Sequence, residues 1–264
     1  MNNFIGKLII AVLLSTSTVS VLAHEMWLEP EPFITESNTD LKAHIKVGQN
    51  FSGEKFPYIK SETKSLKLFL TQKEIKLKHR DGDYPAIQSL LTSPGLYVLS
   101  YESVPEKVNY ANFEKFKSFL EEQNVWDNWS KENPSFINST INEIYTRYAK
   151  SLVQVGSTSE EDFNTGLPFE LIAIDNPYKN KNAKGIHVLL LYQNKPFANS
   201  QITVFHKLNN KVSIAKTTTD SDGKAFVALD NKGIFLVSAV HFIKAEKKNA
   251  DWHSLWASLT FLKN

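Results

Sequence analysis

Histidine is the side chain in this sequence best suited to binding a metal or moving a proton, because the 264 residues include no cysteine. No two histidines form a close-spaced metal motif such as His-Glu-x-x-His. The sequence also contains neither a Gly-x-Ser-x-Gly elbow nor a phosphate-binding loop. We therefore assign no catalytic residue. The seven candidates are His24, His44, His79, His187, His206, His241 and His253.

Residues 1–23 have the three parts of a secretory signal peptide. Met1–Lys7 carries one positive charge, Leu8–Leu14 is an unbroken apolar run, and Val21–Ala23 satisfies the small-residue rule for cleavage. The apolar run is far shorter than the ~20 residues that span a bilayer. We therefore predict that cleavage leaves a mature chain beginning at His24, exported most simply to a bacterial periplasm.

Cleavage would give His24 two metal-binding nitrogens, the free α-amine and the ring Nδ1, which close a chelate around a cation. Their pKa values, ~8 for an α-amine and ~6.5 for an imidazole, let both lose a proton to a metal near neutral pH. One further imidazole completes a histidine brace, and such nitrogen-rich sites suit Cu(II) and Ni(II), with Co(II) weaker. The alternative is a terminal residue frayed into solvent.

The pattern around two other histidines favours ordinary structural roles. His241 lies in the apolar stretch Ile234–Phe242, where a histidine is typically a hydrogen-bonded core residue. His253 lies at the start of the last predicted strand and is equally compatible with the protein surface.

Alternating apolar and polar residues predict strands through most of the chain. Two helical patterns interrupt them. Phe113, Phe116 and Leu120 share one helical face, and a capping box of Thr140 and Glu143 opens the second helix. The predicted strands are 41–47, 65–70, 73–78, 96–101, 169–174, 185–192, 201–206, 211–218, 225–229, 234–242 and 254–261.

This pattern divides the mature chain into two parts joined by a small, acidic segment. Residues 24–156 are predicted to form a β-rich domain with helices near 111–124 and 140–154, and residues 157–166 to form a linker. Residues 167–264 are predicted to form an immunoglobulin- or transthyretin-like β-sandwich. The predicted fold class is mainly β.

Charge and composition argue against several classes of protein. Without Lys7 the chain has 29 basic residues (30 − 1) against 28 acidic ones and no basic stripe, which argues against a nucleic-acid partner. A hydrophobic fraction of 42% is enough for a packed core and excludes general disorder. Asp220–Gly223 lacks the remaining ligands of an EF-hand loop, so we interpret Asp222-Gly223 as a tight hairpin turn.

The residues that follow the predicted cleavage site, His24–Pro30, resemble the start of a bacterial exported family of unknown function. That family is often labelled the periplasmic component of cobalt or nickel transport systems. The resemblance extends over essentially the whole mature chain. Its further matching stretches are 47–54, 147–156, 166–178, 219–226, 239–241 and 251–261.

The resemblance implies an exported β protein that handles a divalent transition metal ion, nickel or cobalt, with copper as a further candidate. A membrane metal permease is the implied partner, and the mature chain itself is expected to have no transmembrane segment. The resemblance assigns His24 and His241 as metal ligands. Position 253 more usually holds an acidic residue in the family, so His253 departs from the pattern and is the weakest of the three candidate ligands.

Three functions remain open from the sequence. The first is a periplasmic metal carrier or buffer without enzymatic activity. The second is a copper-dependent oxidase of the brace type. The third is a carbohydrate-binding or adhesive β-sandwich in which His24 is incidental, and exposure of Trp27, Trp126 or Trp129 would favour it.

Overall fold

The computed structural model describes residues 24–110, 112–134, 141–157, 159–180, 182–229, 231–246 and 250–264, and the predicted signal peptide lies outside these ranges. The described residues form eighteen strands and two helices. Neither of these helices has the length and apolar character needed to cross a bilayer. The elements before residue 157 are β1 (Glu25–Glu31), β2 (Ile34–Thr35), β3 (Thr39–Gln49), β4 (Ser52–Phe56), β5 (Thr63–Leu70), β6 (Lys73–Ile75), β7 (Ile87–Leu91), β8 (Gly95–Ser103), β9 (Glu106–Tyr110), α1 (Phe113–Glu122), α2 (Trp126–Glu132) and β10 (Ile141–Val155). The elements after it are β11 (Phe169–Ala173), β12 (Gly185–Tyr192), β13 (Lys195–Pro196), β14 (Gln201–Leu208), β15 (Lys211–Thr218), β16 (Lys224–Ala228), β17 (Gly233–Lys244) and β18 (Trp252–Lys263).

A ten-stranded sheet forms the centre of the molecule. Eight of its strands follow the order β15-β14-β17-β18-β10-β8-β5-β6, and β2 and β9 also pair with β10. In the middle, β10 and β18 are parallel neighbours, with Glu143 opposite Trp252 and Ser151 opposite Thr260. Two four-stranded sheets flank the central one, the first made of β1, β3, β4 and β7 and the second of β11, β12, β13 and β16.

The two small sheets cover opposite faces of the central sheet, because successive side chains of a strand point to opposite sides. On β10, Ala149 and Val153 pack with the sheet that contains β1, so we call this side the β1 face. Tyr148 and Leu152 pack with Phe169 and the sheet that contains β12, so we call this side the β12 face. The predicted mainly β fold class with a sandwich-like arrangement is confirmed.

The helix predicted over residues 140–154 is wrong, because this stretch forms strand β10. Fourteen of its 15 residues are buried, since β10 is covered on both faces. A strand covered on both faces does not show the polar alternation that identifies a half-exposed strand. The β-branched and aromatic residues that favour strands were present, among them Ile144 and Tyr145. Of the predicted capping box, Thr140 lies outside the described residues and Glu143 is buried in the sheet.

The predicted division at residues 157–166 does not correspond to a division of the fold, since the central sheet takes strands from both sides of it. Lys150 Nζ lies 2.8 Å from the Asp162 carboxylate and 3.0 Å from that of Glu170, and all three side chains are buried. Asp162 also accepts a hydrogen bond from the Ala173 N–H at 2.9 Å. Buried charges therefore fix this segment in place, and it does not act as a spacer.

The two helices pack together on the β1 face. α1 lies within the predicted range 111–124, and the Asn112 side chain caps it by accepting a hydrogen bond from the Lys115 N–H at 3.0 Å. Phe116 and Leu120 are buried, and the Phe116 ring packs 5.3 Å from that of Trp129 on α2. With only seven residues, α2 is too short to show a helical period in the sequence.

The Asp222-Gly223 turn forms, but it does not close a hairpin, because β15 and β16 belong to different sheets. Asp220 Oδ1 accepts hydrogen bonds from the N–H groups of Asp222 and Lys224, both at 2.9 Å. Gly223 has a φ of 73°, and a Cβ there would lie 2.8 Å from the backbone nitrogen of Phe197. Glycine is therefore required where the chain crosses between the two sheets.

Candidate functional site

His24 lies immediately before β1 and lines a cavity of about 230 Å³ on the β1 face. In the antiparallel pairing of β1 with β3, the next residue, Glu25, lies opposite Gly48. Gly48 in turn lies opposite Gly53 of β4, and a Cβ on Gly48 would lie 2.4 Å from the Gly53 Cα, so this hairpin requires glycine. The residue next to His24 is therefore fixed in a sheet, which restricts His24 itself.

Arg147 is the dominant positive charge of this cavity. It lies on β10 with 7% of its surface exposed. Its guanidinium group lies 3.6 Å from the Glu106 carboxylate and 4.5 Å from the centre of the Tyr145 ring, and the Tyr145 hydroxyl donates to Glu106 at 2.7 Å. The Nε of Arg147 is buried and has no hydrogen-bond partner among the described residues.

The surroundings of His24 favour the neutral form of its ring. Burial lowers the pKa of this imidazole below its ordinary value of 6.5, and the positive charge of Arg147 lowers the pKa further. A neutral ring offers a nitrogen lone pair to a metal at neutral pH. Burial also raises the pKa of the neighbouring Glu25 to about 7. The thioether of Met26 and the carboxylate of Glu106 line the same cavity.

His241 lies on β17, on the β12 face, within a group of aromatic rings. Its ring centre is 4.4 Å from that of Phe197, 4.7 Å from that of Tyr192 and 6.0 Å from that of Phe169. Neither of its ring nitrogens makes a hydrogen bond to the described part of the chain. Burial lowers the pKa of His241 to about 4, so its ring is neutral above pH 5. Within the described chain the ring of His241 therefore contacts aromatic side chains.

His253 lies near the start of β18 and also points to the β12 face. Its Nε2 lies 2.8 Å from the hydroxyl oxygen of Thr146 on β10. In the sheet it lies opposite Ile144 on one side and Ile243 on the other. It therefore forms part of the contact between neighbouring strands.

The structure does not bring the three predicted metal ligands together. His24 lies on the β1 face, whereas His241 and His253 lie on the β12 face, so the central sheet separates them. In the described ranges, no three histidine, aspartate or glutamate side chains are arranged to hold a metal ion. A metal site that contains all three histidines does not fit this structure.

Sequence reasoning missed the residues that surround His24. Arg147 and Tyr145 alternate along β10 with residues of the opposite face, and the helical assignment of this stretch concealed which side chains share a side. Glu106 is brought to them by the pairing of β9 with β10, where it lies opposite Tyr145. Correct identification of β10 as a strand would have placed Tyr145 and Arg147 on one face.

Residues 21–242 match the family described as Domain of unknown function (DUF4198). The chain belongs to this family. The match includes β1, most of the central sheet, His24 and His241, and its description names no ligand, activity or partner. It agrees with the resemblance to a family of unknown function.

The DUF4198 chain matches no curated protein. Among solved structures it is similar to the tetra-tandem repeat in the extending region of a large adhesion protein, with 11% sequence identity and a TM-score of 0.23. The similarity covers 92% of this chain and 50% of that one, so this chain spans about half the length of the adhesion-protein structure. A likeness this slight carries no argument about function.

Proposed function

We propose that this DUF4198 protein is exported to the periplasm, begins at His24 after cleavage, and binds a divalent transition metal there as a carrier. The observation that carries the proposal is the position of His24, whose neutral ring lines a cavity at the start of a paired strand. The free α-amine and the ring Nδ1 would chelate nickel, cobalt or copper. The metal is cargo in this proposal and takes part in no reaction.

The cavity offers further donors of different chemistry, and the carboxylate of Glu62 is one of them. Met26 has a thioether and Glu106 a carboxylate, and both side chains line the cavity with His24. The positive charge of Arg147 opposes a nearby cation, so the carboxylate of Glu106 supplies the compensating negative charge. A thioether beside nitrogen ligands favours copper over cobalt.

A carrier fits this cavity better than a copper oxidase of the brace type. A brace requires a second imidazole, and His24 is the only histidine among the described residues that line the cavity. A metal held by few protein ligands is readily passed on to a partner. The resemblance to components of transport systems favours a membrane metal permease as that partner.

Titration calorimetry with Ni(II) and Cu(II) tests the proposal on protein purified from a periplasm, once intact-mass measurement has shown a start at His24. Adding one glycine before His24 replaces the primary amine of the chelate by a weakly basic amide. We expect the Kd to rise by more than ~100-fold. This exceeds the ~10–100-fold loss of metal affinity that is typical when a residue that hydrogen-bonds to a metal ligand is changed. His24→Ala should weaken binding at least as much.

Two other histidines provide matched controls. His241→Ala and His187→Ala should leave the Kd unchanged, because His241 lies on the opposite face of the central sheet and His187 is exposed and paired with Asp175. Equal affinity of the native-start and glycine-extended proteins would eliminate the chelate. A mature chain that starts at another residue would also overturn the proposal.

A further inference from the structure

A second cavity, of about 600 Å³, lies where β17 runs past the end of β14. We call it the β17 cleft. The pairing of β14 with β17 ends at Ile202 opposite Ala239, and no described strand pairs with this edge of β17 farther on. The cleft follows that edge, with the end of α1 and α2 on one side and residues 197–201 on the other. His24 is not part of its lining, so the cleft is separate from the proposed metal site.

Side-chain amides provide most of the polar groups contributed by side chains in the β17 cleft. Asn133 and Gln201 are partly used, since they donate to the backbone oxygens of Trp129 at 2.8 Å and Glu122 at 3.1 Å. Four others make no side-chain hydrogen bond to the described chain. Each side-chain amide has two N–H donors and a carbonyl acceptor. It can therefore both donate a hydrogen bond to a ligand hydroxyl group and accept one from it. These four are Gln123, Asn124, Asn128 and Asn199.

Aromatic rings form the apolar part of the same cleft. The rings of Trp129 and Trp252 pack against each other with centres 5.3 Å apart and are only 6% and 7% exposed. The rings that a ligand can reach are those of Phe197 and Phe242, which are half-buried. A sugar ring has C–H groups on its faces and hydroxyl groups around its rim. It therefore matches a cleft that combines aromatic rings with amides.

The charges of the cleft favour an uncharged ligand. Glu132 and Lys244 are the charged side chains among its described lining residues at neutral pH, and both are exposed. They are of opposite sign. A charged ligand would therefore enter the cleft without a buried partner of opposite charge, which carries a desolvation cost. An uncharged ligand avoids this cost.

His241 is a polar group of the cleft that lacks a protein partner. Its ring is only partly exposed, and both nitrogens are without hydrogen bonds to the described residues. A neutral imidazole has one donor and one acceptor nitrogen. A ligand hydroxyl can bond to either of them, whereas a purely apolar ligand would leave both unsatisfied at a cost.

We propose that the β17 cleft is a binding site for a neutral saccharide. The half-buried rings of Phe197 and Phe242 lie against the C–H face of a sugar ring, and the amides together with His241 bond to its hydroxyl groups. The site is independent of metal binding at His24.

A glycan array with neutral, uronic-acid and amino-sugar oligosaccharides tests the proposal, followed by calorimetry with the best neutral glycan. We expect binding to neutral glycans only. His241→Phe preserves the aromatic packing but removes both nitrogens, and should raise the Kd by about tenfold, the loss expected for one hydrogen bond. Asn128→Ala should have an effect of similar size.

His187→Phe is the matched control, because His187 is exposed on β12 and lies beside Phe226, not among the residues that line the cleft. It should leave the Kd unchanged, and so should the glycine-extended amino terminus. The proposal is overturned if no neutral glycan binds, if charged glycans bind equally well, or if His241→Phe and Asn128→Ala bind like the parent. Preferential binding of an extended uncharged peptide, tested in parallel, would also overturn it.

Discussion

At the scale of single residues, Glu143 is an acid in surroundings that disfavour its charge. It lies on β10 beneath the two helices with no measurable exposure. Its carboxylate accepts a hydrogen bond from the Ser254 hydroxyl, and Ser254 Oγ accepts one from Trp256 Nε1 at 2.9 Å. Burial raises the pKa of Glu143 to about 7 from its ordinary value of 4.5, so the folded protein holds a proton there that the unfolded chain releases.

Glu143→Gln should therefore stabilise the protein at alkaline pH and change little in acid. Because the folded pKa exceeds the unfolded one, the parent has its full stability below pH 4.5 and loses stability as the pH rises through about 7. The variant keeps an uncharged group, so its advantage at pH 8.5 should be on the order of 3 kcal/mol. Urea unfolding at pH 5 and pH 8.5 measures this difference.

Glu121→Gln, an exposed carboxylate on α1, serves as the control for the change of charge. It should shift the free energy of unfolding by less than about 0.5 kcal/mol at either pH. A stability difference between Glu143→Gln and the parent that is the same at pH 5 and pH 8.5 would show that Glu143 titrates as an ordinary carboxyl.

At the scale of elements, Lys150 joins β10 to the two segments that follow it. It is held between the carboxylates of Asp162 and Glu170 and also donates to the Phe163 carbonyl at 2.9 Å. Glu170 in turn accepts hydrogen bonds from the Thr165 N–H and hydroxyl at 2.8 and 2.9 Å. Removal of the one positive charge would leave two carboxylates buried together.

Lys150→Met should lower the free energy of unfolding by about 3–5 kcal/mol, the cost of leaving a buried charge without its partner. The equivalent change at Lys179, which is exposed and lies 3.8 Å from Glu161, should cost less than about 1 kcal/mol. Urea titrations of both variants measure the contrast. Similar values for the two would mean that the buried charges do not fix this segment.

The sequence identified strands with one exposed face, and it also identified several that are covered on both faces, such as β8 and β18, but β10 was predicted as a helix. The strands around Leu41 and Ile202 alternate between buried and exposed residues, and their patterns identified β3 and β14. β10 lacks that alternation because sheets cover both of its faces. Its apolar residues are spaced three and four apart, which is the spacing that indicates a helix. The same error affected the candidate site, because Arg147 belongs to β10.

The position of His24 shows a second limit of sequence reasoning. Its chemistry followed from the cleavage pattern, and the structure places it beside a cavity. Its relation to His241 depends on which face of the central sheet each residue reaches. That relation is set by the packing of the β1 sheet on the central sheet and by the pairing of β10 and β17 with β18, all between elements far apart in the chain. Periodicity within one segment contains no information about it.

At the scale of the whole molecule, the two predicted domains share the central sheet, so we expect them to fold as one unit. β18 lies between β10, from the first part, and β17, from the second. Residues 167–264 alone should therefore be unfolded, because β18 would lose β10 and expose the side chains that pack on it. The full mature chain should unfold in one transition by calorimetry and by urea.

Circular dichroism and proton NMR of the isolated 167–264 fragment measure this directly. A dispersed, cooperatively melting spectrum would show an independent domain. Two separate transitions in the full chain would support the same conclusion.

The pairing of β10 with β18 also determines when the central sheet can be completed during folding. β18 is the last strand along the chain, yet it lies in the interior of the central sheet between two much earlier elements. Until residues 252–263 are in place, β10 and β17 lack the neighbour that joins them. The central sheet can therefore close only after residues 252–263 have joined β10 and β17.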